Sequence, residues 1–361
     1  MSDIWVENRT PFLADTHVEP NADGQEVVVV IISATFQGEN PSAVLAPASE
    51  QLPIAFSDVP FGNPAASSTR YEADIAIVKP TAEVIINGAA HAPDGKAIRE
   101  MQVGFRIGTL RKVLNVVGDR VQEAGGYSSP NPFVKMPIVY ERAYGGTTTD
   151  GNVEVRNPVG IGYRNARSAD PAVRSEAPNV TYPSEPFRAA TDRPAPAAFG
   201  ALGRGWQPRL KYAGTFDANW VATQWPLPPK DYDPRYNLCT PSDQQLPVLR
   251  GGEAVTVIGM TPSGRWDFRL PALTMPVRFI YEDRSEDESL RIDTAMIEPD
   301  KLQVTLKARI ARVTRRNAPA LREVIVGHVT PGFLIARRKG KRYFDSRGGN
   351  GTITSRPPWQ S

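Results

Sequence analysis

The sequence predicts a mainly β protein in which antiparallel sheets pack face to face as in a β-sandwich, with long Pro/Gly-rich loops and few short helices. The chain contains 34 prolines and 29 glycines in 361 residues. This composition disfavours long helices, because proline breaks the helical hydrogen-bond ladder and glycine gives up backbone entropy. Short apolar runs are separated by turn signals, and the 40% of hydrophobic residues can fill a substantial core.

The first predicted strand runs from Glu26 to Phe36 and is β-branched and apolar on both faces. Such a run fits a strand buried on two sides, so we expect it at the centre of a sheet. In 101–107 and 302–310, apolar residues alternate with polar ones, which places each apolar set on one face of a sheet. All further strands are predicted, in chain order, over 82–86, 101–107, 112–117, 137–143, 254–260, 266–270, 277–281 and 302–310.

Helix and domain signals are weaker than strand signals. Residues 217–224 begin with Asp217, which can cap a helix N-terminus, whereas 318–326 fit a helix and a strand equally well. Composition divides the chain into β-rich regions at 1–163 and 200–338, an irregular excursion or linker at 164–199, and a basic flexible tail at 339–361.

The net charge of +3 hides an uneven distribution. Residues 301–361 contain 14 Lys/Arg against two acids, so the rest of the chain is acidic overall. A basic segment can meet nucleic acid, an acidic partner or the acidic remainder of its own chain, and the pattern does not choose among them. No RRM, helix-turn-helix or zinc-finger pattern accompanies the basic residues, so we do not expect specific nucleic-acid binding.

The cysteine content and the first residues indicate a compartment. Cys239 is the only cysteine, which excludes an intrachain disulfide and points to a reducing environment. The segment 1–9 lacks the basic and apolar parts of a signal peptide, and the apolar run 27–34 is far shorter than the roughly 20 residues that cross a bilayer. We therefore expect a cytoplasmic protein without a membrane partner.

Catalytic motifs are sparse. A Ser or Cys nucleophile needs a base, and the three histidines, His17, His91 and His328, stand in sequence contexts that supply no partner. Cys239 has no second cysteine nearby and is expected to be a small buried residue. Gly145 to Gly151 lacks the Gly-Lys-Ser/Thr ending of a phosphate-binding loop. The sequence thus predicts no catalytic residue, no cofactor and no metal site.

Paired carboxylates provide an enzymatic alternative. A hydrolase acting on carbohydrate or cell wall needs two carboxyl groups in one cleft. Each available acid also has a structural use, such as capping a helix or pairing across strands. The candidates are Glu141, Asp217, Asp231, Asp233 and Asp243.

The segment 136–244 combines turn residues, aromatic residues and fixed charges. Six Trp and Tyr residues fall within 31 positions, and they fit either core packing under long loops or a binding face with aromatic and arginine anchors. These six are Trp206, Tyr212, Trp220, Trp225, Tyr232 and Tyr236.

Motifs across the chain add a resemblance. They include Ala34-Thr-Phe36, Gln51-Leu-Pro53, Tyr71-Glu-Ala-Asp74, Ile86-Asn-Gly88, Gly118-Asp-Arg120, Tyr140-Glu-Arg-Ala-Tyr-Gly-Gly146, Asn157-Pro-Val-Gly160, Trp206-Gln-Pro-Arg209, Gly214-Thr-Phe-Asp217, Asp243-Gln244 and Gly251-Gly-Glu253. In this order, from about Phe12 to Pro299, they resemble the accessory family encoded beside VgrG spike and PAAR-repeat proteins in bacterial type VI secretion clusters. The chain departs from the pattern after Arg120 and at Cys239-Thr240.

The resemblance implies a non-enzymatic, cytoplasmic adaptor or chaperone that binds a secreted effector protein and helps to load it onto the VgrG/PAAR spike. A structural component of the spike is the alternative. In this interpretation, Arg142 supplies a forked donor to a partner or to a neighbouring carboxylate, and the glycines allow close backbone approach. Trp206, Trp220 and Tyr232 are the expected apolar anchors. The complete set of predicted partner-binding residues is Arg142, Tyr144, Gly145, Gly146, Trp206, Arg209, Asp217, Trp220, Asp231, Tyr232 and Asp233.

Overall fold

The computed structural model describes residues 4–123, 126–148, 150–163, 176–314 and 318–341. The first strands are β1 (Trp5–Asn8), β2 (Leu13–Pro20), β3 (Glu26–Gln37), β4 (Ala46–Pro47), β5 (Val59–Pro60), β6 (Thr69–Tyr71), β7 (Ala82–Ile86), β8 (Ala89–His91), β9 (Glu100–Ile107), β10 (Leu110–Val117), β11 (Gln122–Glu123) and β12 (Gly126–Tyr127). The later strands are β13 (Lys135–Pro137), β14 (Tyr144–Gly145), β15 (Ile161–Gly162), β16 (Val180–Thr181), β17 (Gln245–Leu246), β18 (Ala254–Ile258), β19 (Arg265–Arg269), β20 (Pro276–Tyr281), β21 (Ser285–Ser289), β22 (Arg291–Glu298), β23 (Gln303–Val313) and β24 (Leu321–Val326).

Helices are short throughout the described residues. The α-helices are α1 (Gln207–Leu210), α2 (Ala218–Thr223) and α3 (Pro331–Arg338). Single 3₁₀ turns span Pro93–Gly95, Tyr140–Arg142, Pro234–Asn237, Ser242–Gln244 and Pro299–Lys301. The protein is mainly β, as the density of proline and glycine predicts.

The largest sheet has seven strands in the order β17-β7-β22-β23-β3-β2, and β4 pairs with one end of β3. All its neighbouring pairs are antiparallel except β7 with β22. Residues 27–36 of β3 are buried on both faces, because β2 and β23 flank the strand and other layers cover it. The predicted central strand over 26–36 is confirmed.

Two other sheets complete the main architecture. One has five antiparallel strands in the order β16-β10-β9-β18-β19, and the other has four strands in the order β1-β24-β20-β21. Ile32 and Leu306 from the seven-stranded sheet share one buried core with Phe105 of the five-stranded sheet and Phe279 of the four-stranded sheet. The antiparallel sheets therefore enclose a common apolar interior, in agreement with the predicted packing.

The other face of the seven-stranded sheet buries charged side chains. On β23, Lys307 pairs with Asp74 at 2.5 Å, and Arg309 pairs with Asp293 at 2.5 Å. The predicted alternation in 302–310 holds for the apolar residues, which lie in the core. Its polar residues Thr305, Lys307 and Arg309 are also enclosed, because Asp74 from a loop and Asp293 from β22 pair with the two cations on this face.

Basic residues after position 300 are paired largely with acids of the same chain. This favours the third of the possible roles predicted for the basic segment, interaction with its own acidic remainder. The pairs in the described part of the segment are Lys301–Glu298, Lys307–Asp74, Arg309–Asp293, Arg312–Glu288, Arg322–Glu282 and Arg337–Glu323.

One predicted strand, 137–143, is wrong. Strand β13 ends at Pro137, and the next residues form the 3₁₀ turn Tyr140–Arg142. The side-chain nitrogen of Asn157 donates to the carbonyl oxygens of Tyr140 and Tyr144 at 2.8 and 3.0 Å. A side chain thus satisfies backbone acceptors that a neighbouring strand would otherwise have to satisfy.

The ambiguous segment 318–326 contains strand β24, since β1 and β20 pair with its two edges. Helix α3, which follows it, was not predicted. The other seven predicted strands after 26–36 are present, with ends that differ by a few residues, and α2 occupies the predicted helix 217–224.

The two predicted β-rich regions share sheets, because β3 and β7 pair with β23 and β22. Within the predicted excursion, the described residues 176–199 contribute β16 to the five-stranded sheet and bury Phe187 and Phe199. Residues 164–175 and 342–361 lie outside the described part of the chain, so the remainder of the predicted excursion and most of the predicted tail are still predictions.

Within the described residues, none of the helices combines the length and the apolar character needed to cross a bilayer.

Candidate partner-binding surface

The segment around Tyr144 lies inside the protein. Tyr144, Gly145 and Gly146 are all buried, and the two glycines have φ of 151° and 116°. A Cβ atom on Gly145 would lie 2.1 Å from the carbonyl oxygen of Asn157. The close backbone approach predicted for these glycines therefore occurs between two segments of this chain. The prediction that these three residues contact a partner is wrong for the folded protein.

Trp206 and Arg209 are also internal. Trp206 is 8% exposed, and its ring packs edge to face against Tyr140 with centroids 5.2 Å apart. Arg209 is 1% exposed and makes a two-pronged ion pair with Glu72 at 3.0 and 2.8 Å. Burial alone would lower the pKa of Arg209, but the adjacent Glu72 carboxylate raises it. Both predicted contacts are wrong, because these side chains tie α1 to the interior.

Arg142 is half-buried and already has partners. One guanidinium nitrogen lies 2.9 Å from a carboxylate oxygen of Asp119 and 3.0 Å from the side-chain oxygen of Asn179. Asn179 in turn donates to Asp119 at 2.9 Å. Of the two roles predicted for Arg142, the structure supports the pairing with a neighbouring carboxylate.

The remaining predicted residues belong to residues 210–237, which we call the aromatic lobe. Asp217 caps α2 by accepting a hydrogen bond from the backbone nitrogen of Trp220 at 2.8 Å. Asp231 accepts two hydrogen bonds from Thr215, and Asp233 caps the 3₁₀ turn at 234–237. These acids close the turns of the lobe, which is why short polar side chains occur between its aromatic residues.

The aromatic lobe is attached to the turn between β2 and β3. Gln224 donates to the carbonyl oxygen of Ala22 at 2.7 Å. Lys230 donates to the same carbonyl oxygen and pairs with Asp23, both at 2.8 Å. Leu227 lies against Gly24, where an added Cβ would come within 3.2 Å of the leucine side chain. Polar and apolar contacts together hold one side of the lobe against the seven-stranded sheet.

The lobe also exposes large apolar side chains. Phe216 is 59% exposed, Val221 is 62% exposed and Trp225 is 67% exposed. Trp220 is half-buried: its ring packs edge to face against Phe216 with ring centroids 4.8 Å apart, and its indole nitrogen donates to the carbonyl oxygen of Leu227 at 3.0 Å. We call Phe216, Val221 and Trp225 the apolar face of the lobe.

Charged side chains are also exposed in the lobe. Asp217, the N-cap of α2, is exposed, and so are Lys230 and Arg235. Tyr232 is half-buried, and its hydroxyl donates to Asn237 at 2.8 Å. Apolar side chains within a charged rim are the usual composition of a protein-binding surface.

The five candidate carboxylates have separate partners. Glu141 accepts hydrogen bonds from the backbone nitrogen and hydroxyl of Ser68, each at 2.7 Å. Asp243 accepts from Tyr182 at 2.9 Å and pairs with Lys112 at 3.1 Å. The other three, Asp217, Asp231 and Asp233, close turns in the lobe. Asp217 caps a helix as its sequence context indicates, whereas Glu141 lies in a 3₁₀ turn and binds Ser68 instead of pairing across strands as predicted.

The histidines and the cysteine have ordinary environments. His91 Nε2 lies 2.6 Å from Asp300, and His17 lies 3.7 Å from Glu19. Cys239 is fully buried, as predicted, and burial raises the pKa of its thiol well above the usual value. Across the residues that the structure describes, no group of three or more His, Cys, Asp or Glu side chains could hold a metal ion.

Phe216 and Val221 were not among the predicted anchors. The sequence offered one usable signal, since they occupy the positions immediately before the cap and four residues into α2. Apolar residues at these two positions often pack together as a hydrophobic staple. Their exposure depends on what covers the lobe, which the local sequence does not encode.

Comparison with known proteins identifies a family that the chain matches. A family model described as "Uncharacterized protein conserved in bacteria (DUF2169)" matches residues 23–309. No curated protein and no solved structure matches the chain. The matched range contains the aromatic lobe and most of the two larger sheets, and it leaves out β1, β2, β24, α3 and the last residues of β23.

Proposed function

The chain belongs to this uncharacterized bacterial family, and we propose that it is a non-enzymatic adaptor of type VI secretion. In this proposal, it binds an exported effector in the cytoplasm of the producing cell and helps to load the effector onto the VgrG/PAAR spike. The support has two parts, the motifs that resemble the accessory family and the exposed apolar face of the aromatic lobe.

The apolar face is the observation that carries the proposal. Three large apolar side chains, Phe216, Val221 and Trp225, are each more than half exposed within one short segment. Burial of such side chains at an interface removes apolar area from water, and aromatic residues supply a large share of binding energy. The motif Gly214-Thr-Phe-Asp217, one of those that carry the resemblance, lies in the same segment.

The construction of the lobe fits a binding role. Asp217, Asp231 and Asp233 fix its turns, while Gln224 and Lys230 attach it to the β2–β3 turn. An apolar surface held in one conformation loses less entropy on binding than a flexible one. We therefore expect the effector, or the spike protein that receives it, to present an apolar patch to the lobe.

The proposal can be tested with surface variants in the native bacterium. The tagged protein and a Phe216→Asp/Trp225→Asp double variant would be recovered from the cytoplasm at moderate and high salt, and bound proteins identified by mass spectrometry. We expect a VgrG, PAAR or toxin-like protein with the unmodified chain at both salt concentrations, because apolar contacts resist screening. The double variant should lose it.

Val44→Asp is the matched control, since Val44 is 92% exposed and lies outside the lobe. It should retain the bound protein. Recovery of the same partner with the double variant would rule out the lobe as the docking surface. Recovery of no spike or toxin protein with any form, or release of the chain from the cell together with the spike, would contradict an adaptor that stays in the cytoplasm.

A further inference from the structure

A second surface feature lies at the beginning of β22, on the seven-stranded sheet. A cleft of about 250 Å³ opens there between the loop 77–81, the segment after β17 and the ends of β22 and β23. The ladder between β22 and β23 shifts register between Ile292 and Thr294, so Asp293 forms a bulge beside the cleft. Bulges redirect side chains and occur often beside binding sites.

The charges that line the cleft do not cancel. Lys79 pairs with Glu83 and donates to Thr294 at 3.0 Å, and Arg309 pairs with Asp293 at 2.5 Å. These two cations are neutralised by their partners. Arg291 also lines the cleft and is exposed, and its guanidinium group has no ion-pair partner among the described residues.

Arg291 has a second arginine, and no acid, directly opposite it on the neighbouring strand. Arg291 lies directly opposite Arg309 in the antiparallel pair of β22 and β23. Opposed residues of such a pair project from the same face with Cβ atoms about 5 Å apart, and like charges there repel. Asp293 offsets one of the two guanidinium charges. One positive charge remains at the cleft, which suits a ligand with one negative charge.

Part of the cleft wall is apolar. Ile310 and Pro247 line it, and Val78 and Val248 stand at its rim with 45% and 38% exposure. Thr81 lines it as well, and its hydroxyl oxygen is buried without a hydrogen-bond partner. The cleft therefore combines a short aliphatic wall with an arginine and an unused hydroxyl group.

We infer that this cleft binds the C-terminal carboxylate of an extended polypeptide whose last residue is aliphatic. The arginine fork matches the two oxygens of a carboxylate, and the aliphatic wall accommodates the last side chain. Because Val78, Val248 and Arg291 are exposed, the preceding residues of the peptide can leave the cleft toward solvent. A phosphate group, with close to two negative charges, would leave one charge unmatched beside Asp293.

The inference rests on the cleft and is independent of the proposed adaptor function. The test is fluorescence anisotropy with a labelled peptide that ends in Gly-Ser-Gly-Val, prepared with a free C-terminus and as the C-terminal amide. We expect the free carboxylate form to bind at least about tenfold more tightly than the amide, which corresponds to about 1.4 kcal/mol. Arg291→Gln should weaken the free form by a similar factor.

Two further variants make the result specific. Val248→Glu puts a negative charge at the rim of the cleft and should also weaken binding, whereas Arg111→Gln changes an exposed strand arginine of the five-stranded sheet and should have no effect. Thermal unfolding confirms that each variant is folded. Equal binding of acid and amide, no effect of Arg291→Gln, or no binding at all would overturn the inference. If free 3-methylbutanoate competes as strongly as the unlabelled peptide, the ligand is a small carboxylic acid and not a polypeptide C-terminus, and the inference is also overturned.

Discussion

Lys112 is a charged side chain enclosed in the apolar interior. It lies on β10 with 4% exposure, and its ammonium group contacts Asp243 at 3.1 Å and the side-chain oxygen of Gln244 at 2.7 Å. The ring of Tyr182 lies 5.0 Å from the nitrogen. Burial lowers the pKa of Lys112 to about 8, although Asp243 opposes the shift.

This pKa predicts that Lys112 makes the protein more stable as the pH rises. Between about pH 8 and 10.5, the unfolded chain keeps the proton that the folded chain has released, so the free energy of unfolding increases with pH. From pH 7 to 10, we expect the wild-type chain to gain about 2 kcal/mol relative to a Lys112→Met variant.

Urea denaturation at several pH values measures this difference. Lys211→Met, at an exposed lysine next to α1, serves as the control and should track the wild-type chain across the range. If the difference in free energy of unfolding between wild type and Lys112→Met stays constant with pH, burial does not lower the pKa of Lys112 and the prediction is wrong.

Among the secondary-structure elements, helix α2 of the aromatic lobe depends on a few hydrogen bonds to keep its conformation. Helix α2 has only six residues and buries none of them, so it depends on its cap and on the attachment of the lobe. Helices this short are unstable in isolation. The cap of Asp217 and the contacts of Gln224 with the β2–β3 turn therefore determine whether the apolar face keeps its shape.

Asp217→Ala is expected to loosen α2 without unfolding the protein. Loss of an N-cap removes about 1 kcal/mol, which corresponds to roughly fivefold faster amide exchange if exchange requires local opening. Hydrogen exchange followed by mass spectrometry should show this change in 218–225 and leave β3 and β23 protected. Asn219→Ala, at an exposed position of the same helix, should not accelerate exchange, and acceleration in that variant would show that the cap is not the cause.

The sequence predicted correctly those elements that local residues determine. The run 26–36 is apolar at successive positions, which indicates a buried strand, and Asp217 caps a helix through a backbone nitrogen three residues away. The predicted strand over 137–143 is wrong because Asn157, 17 residues after Tyr140, donates to the carbonyl oxygens of Tyr140 and of Tyr144, which follows the segment. The polar face of β23 is buried for a similar reason, since Asp74 reaches Lys307 from a remote loop.

The predicted partner-binding residues also show that local sequence does not determine which single side chains are buried. Trp206 and Trp225 both stand in turn-rich, proline-containing sequence, yet the first is buried and the second is 67% exposed. The difference comes from Tyr140, which covers Trp206 and lies far away in sequence. Aromatic content indicated the segment in which large apolar side chains are exposed, but only tertiary contacts determine which of its side chains are exposed.

For the whole molecule, the sheets join distant parts of the chain. β1 pairs with β24 in parallel, and β2 pairs with β3 at the edge of the seven-stranded sheet. Both β1 and β24 lie outside the residues that the family model matches. The four-stranded sheet is thus completed by segments from near both ends of the described chain.

A fragment limited to residues 23–309 should therefore fold poorly. It would lose β2 from the edge of β3 and β24 from the edge of β20, exposing apolar side chains such as Phe279 that are buried in the whole chain. We expect this fragment to be insoluble or to unfold at a much lower temperature. A fragment of residues 1–341 should unfold like the full chain, as measured by circular dichroism. Equal thermal stability of 23–309 would show that the added strands are dispensable.

The pairing of β3 with β23 also implies a delay during protein synthesis, because β3 is made long before β23. About 270 residues separate the two strands, and ribosomes add roughly 5–20 residues per second, so β3 waits on the order of 15 to 50 s for its second neighbour. During this interval the apolar, β-branched run 27–36 has only β2 and the short strand β4 as neighbours, and the edge that later pairs with β23 is open. A newly made chain is therefore most vulnerable to aggregation just before β23 emerges from the ribosome, and this is when a cellular chaperone would protect it.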